Sequence, residues 1–242
     1  MTGQGVGASV LRKEDDRFLR GRGQYVADFR LPGAREVAFV RSSVAHGRIR
    51  NVHVPDAHKG AVFTAHDLAN VNPIRAATAL SGFKHSSEPI LARDKVRYVG
   101  ELVAICVAPS RAQAEDIADS VTVDYEELEP VVDMLAARRP HAPLVHEEWG
   151  DNVFIEFFQD GAIDCVADTA AITVTREIRT ARHCMFPLEG RGVLAHWDAR
   201  LGFLTLISAT QMPHVVQRGV AECLGLDDGS IRVISPDVGG GF

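Results

Sequence analysis

The stretch Leu102-Val103-Ala104-Ile105-Cys106-Val107, with Ser110 just beyond it and Val121-Thr122-Val123-Asp124-Tyr125 further on, decides the class of fold. The strand signal begins near Asp94, with Val96 and Tyr98, and becomes an unbroken apolar run of the kind buried on both faces of a sheet. Ser110 followed by Gln113 is a capping-box pattern and predicts a helix from about Arg111 to Ser120. Ala114, Ile117, Ala118 and Val121 fall on one face of that helix, and the chain then returns as a strand. Strand, helix and strand in this order read as a crossover unit and make the region mixed α and β.

Upstream, Val37-Ala38-Phe39-Val40 and the alternation Ile49, Val52, Val54 predict strands. Asp56 to Lys59 reads as a short helix closed by Gly60, Ala61-Val62-Phe63-Thr64 as a strand, and His66-Asp67-Leu68 as the start of another short helix. Residues 1–34 form an irregular, turn-rich lead-in, and residues 70–93 a long loop or exposed excursion.

Downstream, residues 126–149 are rich in acidic residues and proline and predict an extended connector. A strand is expected at Val153 to Phe158, and another in the alternation Ile172, Val174, Arg176, Ile178. Val193 to Trp197 should pair with Phe203 to Ser208 around Asp198-Ala199-Arg200-Leu201-Gly202. Pro213 suits a first helical position, with Gly225 closing the helix after Leu224. Ile231-Arg232-Val233-Ile234 is a last strand, running into Pro236-Asp237-Val238-Gly239-Gly240-Gly241-Phe242.

The net charge is −6 with dispersed Lys and Arg, which argues against nucleic acid or an anionic membrane as partner. No apolar run reaches the length of a membrane span, and the first residues lack the pattern of a secretory signal, so a cytoplasmic location is expected. Cys106, Cys165, Cys184 and Cys223 are far apart, with no CxxC pair. They read as free, mostly buried thiols rather than as ligands of a zinc ion or an iron–sulfur cluster.

Three glycines after a strand need a reason. Either bare N–H groups approach an anion or an oxo group with no Cβ in the way, or the run is a flexible tail. It is neither a GxGxxG fingerprint nor a Walker loop. Gln211, at a strand end just before a helix, can donate its amide to a ligand oxygen or can be ordinary loop polarity. His183 with Cys184 could ligate a metal, but the other histidines are scattered. Glu189 and Arg191 are expected to form a local ion pair that fixes a turn.

Taken in order, these segments resemble a known family. Leu19-Arg20-Gly21, Tyr25-Val26-Ala27-Asp28, Phe39-Val40-Arg41-Ser42, Ala45-His46-Gly47-Arg48-Ile49, Tyr98-Val99-Gly100-Glu101 and Val123-Asp124-Tyr125-Glu126 come first. Pro187-Leu188-Glu189-Gly190-Arg191-Gly192, Thr210-Gln211-Met212-Pro213-His214 and Pro236 to Phe242 follow. The combination resembles the molybdopterin-binding large subunit of the xanthine dehydrogenase, aldehyde oxidase and carbon monoxide dehydrogenase family.

That resemblance implies an α+β chain: an α/β hammerhead domain followed by a truncated start of the molybdopterin-binding domain. The implied division is a lead-in at 1–18, the hammerhead domain at 19–130, an extended linker at 131–150 and an incomplete cofactor-binding domain at 151–242. Strand edges left open in that incomplete domain should make it labile to proteolysis.

The resemblance implies a molybdenum–molybdopterin cofactor, in its cytosine dinucleotide form, shared with a missing C-terminal portion. Gln211 matches a glutamine whose amide approaches an oxygen on molybdenum. Gly240 and Gly241 match glycines that let the chain pass close to the cofactor, and Phe242 matches the phenylalanine that closes the run. No catalytic residue and no protein ligand to the metal is expected here. The implied reaction is oxidative hydroxylation of an aldehyde, N-heterocycle or related small molecule with water as oxygen source. Electrons would leave through 2Fe-2S clusters and FAD on an iron–sulfur small subunit and a FAD-binding medium subunit. The chain alone is expected to be inactive; the alternative is a truncated, non-catalytic remnant of the family.

Overall fold

The structure is a computed structural model that describes residues 5–76, 78–158, 161 and 163–241. In chain order, α1 (Asp15–Leu19) precedes β1 (Glu36–Arg41), β2 (Gly47–His53), β3 (Val62–Thr64), β4 (Ile74–Ala76) and β5 (Ser86–Glu88). Then come β6 (Lys95–Val96), β7 (Leu102–Ala108), α2 (Arg111–Ser120), β8 (Thr122–Glu127) and α3 (Ile163–Thr169). The last elements are β9 (Val193–Asp198), β10 (Phe203–Ser208), α4 (Pro213–Leu224) and β11 (Ile231–Ile234).

These elements form two compact units, one of residues 33–182 and one joining residues 1–32 to residues 183–242. In the first, β7 lies between β1 and β3, antiparallel to both, while β2 lies between β6 and β8. The apolar run of β7 explains this centre. Ala104, Cys106 and Ala108 join Ala38, Val40, Val62, Ala114 and Val121 in one core cluster, to which α2 contributes. Val103, on the opposite face, is buried with Ala92 and Val96 in a second cluster that Ile49, Val123 and Tyr125 complete. Ser110 caps α2 through Gln113 N, as its spacing predicts.

Several expectations need correction. The signal from Asp94 to Val107 is not one strand: β6 and β7 belong to different sheets, separated by a turn in which Gly100 takes φ +90°. Nor do β7, α2 and β8 make a crossover within one sheet, because β8 pairs with β2. Residues His66 to Leu68 form a turn rather than a helix, with Asp67 accepting from the N–H and hydroxyl of Thr64. The 70–93 excursion contains the β4–β5 hairpin, whose largely exposed strands, Ile74-Arg75-Ala76 and Ser86-Ser87-Glu88, are too short to show an apolar periodicity; backbone pairing defines it.

Residues 153–158 and 172–178 form no strand among the described residues, and the short helix α3 lies between them. Alternation is necessary for a half-buried strand but not sufficient. A strand also needs a neighbouring edge, and none pairs with these segments. The connector is folded back rather than extended: Leu128 N donates to His46 O at 2.9 Å, His46 Nδ1 donates to Glu129 O at 2.7 Å, and the buried Lys95 meets Glu147 at 2.7 Å.

In the second unit β10 is central, antiparallel to β9 and parallel to β11. The β9–β10 hairpin turns where expected, with Asp198 Oδ1 accepting from Arg200 N and Leu201 N and Gly202 at φ +61°. Parallel pairing of β10 and β11 requires a crossover, which α4 supplies. Pro213 opens that helix, Gly225 closes it at φ +64°, and Leu204, Leu206, Ala221 and Ile231 form the core between helix and sheet. No helix among the described residues is long and apolar enough to cross a membrane.

Candidate functional site

Strand β10 ends at Ser208, and the next four residues turn into α4. The turn is held by Ala209 N to Gly192 O (3.0 Å), Thr210 N to Ser208 O (2.9 Å), Met212 N to Thr210 Oγ1 (3.0 Å) and the Ser235 hydroxyl to Thr210 O. These bonds fix the backbone on both sides of Gln211. Its own amide has no hydrogen-bond partner among the described residues.

Strand β11 delivers the glycine run beside this turn, and at Gly239 and Gly240 a Cβ has no room. A Cβ on Gly239 would stand 2.4 Å from Glu189 Cβ, and one on Gly240 2.3 Å from Pro187 Cβ. One on Gly241 would stand 2.8 Å from Gln211 Oε1. Gly240 also has φ +148°, a conformation that side chains other than glycine rarely adopt. The run is therefore packed against Pro187, Glu189 and Gln211, not a loose tail. The structure brings together Gln211, Gly240 and Gly241 of the expected site; Phe242 lies outside the described residues.

Two carboxylates organise this turn. Glu189 forms no ion pair with Arg191 among the described residues. Instead its Oε2 accepts from Gly239 N at 2.7 Å, its Oε1 accepts from Val26 N at 3.3 Å, and its own N–H donates to Gly239 O at 3.3 Å. Backbone N–H groups at fixed positions satisfy the carboxylate in place of the expected guanidinium.

Asp237 is forked by Arg17, with Nη2 to Oδ1 at 2.6 Å and Nη1 on Oδ2. It also accepts from Gln24 N at 2.7 Å, while its N–H donates to Gln24 O at 3.0 Å. The Arg17 fork, and then the Gln24 N–H, push the Asp237 carboxyl down to about 2. Sequence reasoning missed the roles of Arg17 and Asp237. The position of Asp237 inside a quoted motif was the available signal; Arg17, more than two hundred residues away, gave none.

Other candidates fall away from the site. His183 and Cys184 are both exposed, and the Cys184 thiol donates to Met185 O. No group of three His, Cys, Asp or Glu side chains converges to hold a metal among the described residues. Of the four free thiols only Cys106 is buried, contrary to the expected burial of most. Cys165 and Cys184 lie in exposed stretches.

Comparison with known proteins identifies the arrangement. Residues 20–129 match the family model of the aldehyde oxidase and xanthine dehydrogenase a/b hammerhead domain, and residues 145–242 that of the molybdopterin cofactor-binding domain. The chain belongs to the xanthine dehydrogenase, aldehyde oxidase and carbon monoxide dehydrogenase family of molybdopterin-binding large subunits.

Within this family the chain is 34% identical over 258 residues to the carbon monoxide dehydrogenase large chain of Hydrogenophaga pseudoflava, covering 98% of this chain and 31% of that one. It is 37% identical over 245 residues to the nicotine 6-hydroxylase large subunit of Paenarthrobacter nicotinovorans, covering 98% and 30%. The crystal structure of quinoline 2-oxidoreductase from Pseudomonas putida 86 superposes with a TM-score of 0.91 at 38% identity, over 99% of this chain and 31% of that one. The chain thus spans about 31% of the length of these relatives. Its architecture is an α/β hammerhead domain joined to a molybdopterin-binding segment.

The site's chemistry fits such a cofactor. Gln211 offers a neutral amide without a partner among the described residues, and the glycine run brings backbone to a surface where no Cβ intervenes. Neutral donors of this kind can stabilise an oxygen on the group without competing as metal ligands.

Proposed function

We propose that this chain supplies the hammerhead domain and one wall of the cofactor site in the large subunit of a molybdenum hydroxylase. The observation that carries the reading is the close approach of Gly241 to the Gln211 side chain, at the end of a run in which Gly239 and Gly240 leave no room for a Cβ. In this reading the Gln211 amide donates to an oxygen of the cofactor. The N–H groups of Gly240 and Gly241 would face the same group. The cofactor, when bound, supplies the two-electron chemistry that hydroxylates an aldehyde, N-heterocycle or related small molecule with oxygen from water.

The protein's part is to orient and to exclude. A fixed turn at residues 208–212 and a packed glycine run require little rearrangement on binding, which is how preorganised donors act. The general base and the substrate pocket come from the remaining part of the large subunit. The cofactor carries a cytosine dinucleotide, and electrons pass to 2Fe-2S clusters and FAD on an iron–sulfur small subunit and a FAD-binding medium subunit, in the cytoplasm. The chain by itself does not turn over.

Co-expression with the complementary two-thirds of a relative's large chain tests this. The copurified complex should contain molybdenum in proportion to protein, and Gln211→Leu should lower the metal retained through gel filtration. Absence of molybdenum from a complex that does assemble would overturn the reading.

A further inference from the structure

We infer that the N-terminal segment from Arg17 to Val26 is a strap that sets the glycine turn, with Arg17, Asp237 and Glu189 as its positioning residues. Its consequence for cofactor binding rests on the function proposed above; the strap itself does not.

The turn is held at alternate residues. At Asp237 the side chain and the N–H are both committed to the strap, through Arg17 and Gln24. At Gly239 the N–H and the carbonyl are both committed to Glu189, whose second oxygen reaches the strap at Val26 N. Beyond this point the pattern stops: no hydrogen bond among the described residues engages the N–H of Gly240 or Gly241. Two anchored residues thus precede two whose donors are left for another group. Val26 also fills the space where a Cβ on Gly192 would go, at 3.2 Å, so the strap is seated by packing as well as by charge.

General stabilisation does not account for this pattern. The core of the unit is Leu204, Leu206, Ala221 and Ile231, between α4 and the sheet, and no strap residue belongs to it. The strap's bonds converge instead on residues 237–239 and on Glu189. Arg17 is suited to this task because a guanidinium meets both carboxylate oxygens at once, fixing an orientation that a lysine ammonium would leave free.

Amide hydrogen exchange on the full 242-residue chain, without cofactor, tests the strap. In Arg17→Met the amides of Asp237 and Gly239 should exchange on the order of three- to tenfold faster, the range expected for a partly exposed charge-assisted contact. Arg17→Lys should fall between Met and the native residue. Protection of Leu204, Leu206 and Ile231 should not change in either variant. A turn as protected in Arg17→Met as in the native chain would overturn the proposal. So would acceleration spread equally over β10 and β11, which would mark Arg17 as a general stabiliser. Molybdenum retention in the co-expressed complex is read separately. Faster turn exchange together with no metal in any variant, the native chain included, would sink the cofactor assignment and leave the strap standing.

Discussion

Glu101 is only 9% exposed, and it accepts the N–H of Arg97 at 2.5 Å on the buried side of the turn between β6 and β7. Burial pushes its carboxyl above the usual range, and the Arg97 N–H and charge only partly oppose the shift. A raised folded-state pKa means that the folded chain holds this proton more tightly. The stabilisation is complete below the unfolded value, near 4.5, and is lost as pH rises through the folded one. Glu101→Gln keeps an acceptor for Arg97 N and carries no charge, so it should gain on the native chain as pH rises. Melting curves at pH 4 and pH 7 should show a more favourable variant-minus-native difference at pH 7; an equal difference at both would refute the burial argument. At this scale, legibility follows sequence distance. Gln211 and the glycines could be picked out because their types and positions suggest a use for bare donors. Asp237 stood inside a motif that could be picked out, but its pairing could not, since nothing local there or at Arg17 announces a partner more than two hundred residues away.

The elements that the sequence revealed are those with internal punctuation. Ser110 and Gln113 mark the start of α2, Pro213 and Gly225 bound α4, and the apolar run of β7 makes it the central strand. What stayed hidden depends on side chains that reach across loops. Asn152 is the clearest case. Its amide donates to Ala137 O at 3.1 Å and Pro143 O at 2.8 Å, and its carbonyl oxygen accepts from Val145 N at 3.0 Å. One side chain thus closes the connector into a loop, which composition alone presents as an extended link. Asn152→Ala would strand three partly buried backbone groups and should destabilise the first unit by about 1–3 kcal/mol. Asn152→Asp keeps the acceptor but neither donor, and should fall between. Urea unfolding of the three proteins reads this out; an alanine variant indistinguishable from the native chain would show that water replaces all three bonds without loss.

On the scale of the whole molecule, packing and apolar content do not coincide. The hammerhead sheets and the β9–β10–β11 sheet with α4 bury their apolar faces. The described residues from 156 to 186 do not: Phe158, Ile172, Ile178 and Phe186 are 88%, 82%, 84% and 91% exposed. The alternation at Ile172, Val174, Arg176 and Ile178 read as a strand because it has a strand's pattern, and the described residues supply no edge that it joins. Such segments open at almost no free-energy cost, whereas paired strands open only with their unit. Limited proteolysis of the isolated chain should therefore cut first within residues 153–186. Residues 33–128 and 193–234 should outlast it, a narrower window of lability than the whole of 151–242. Adding the complementary two-thirds of a relative's large chain should slow that first cut, because exposed apolar residues with strand alternation are what a missing sheet edge would cover. Simultaneous cutting in β9–β11 and in the 153–186 stretch would contradict the packing described here. A first cut unaffected by a bound complementary chain would show that the exposed stretch is not where that chain packs.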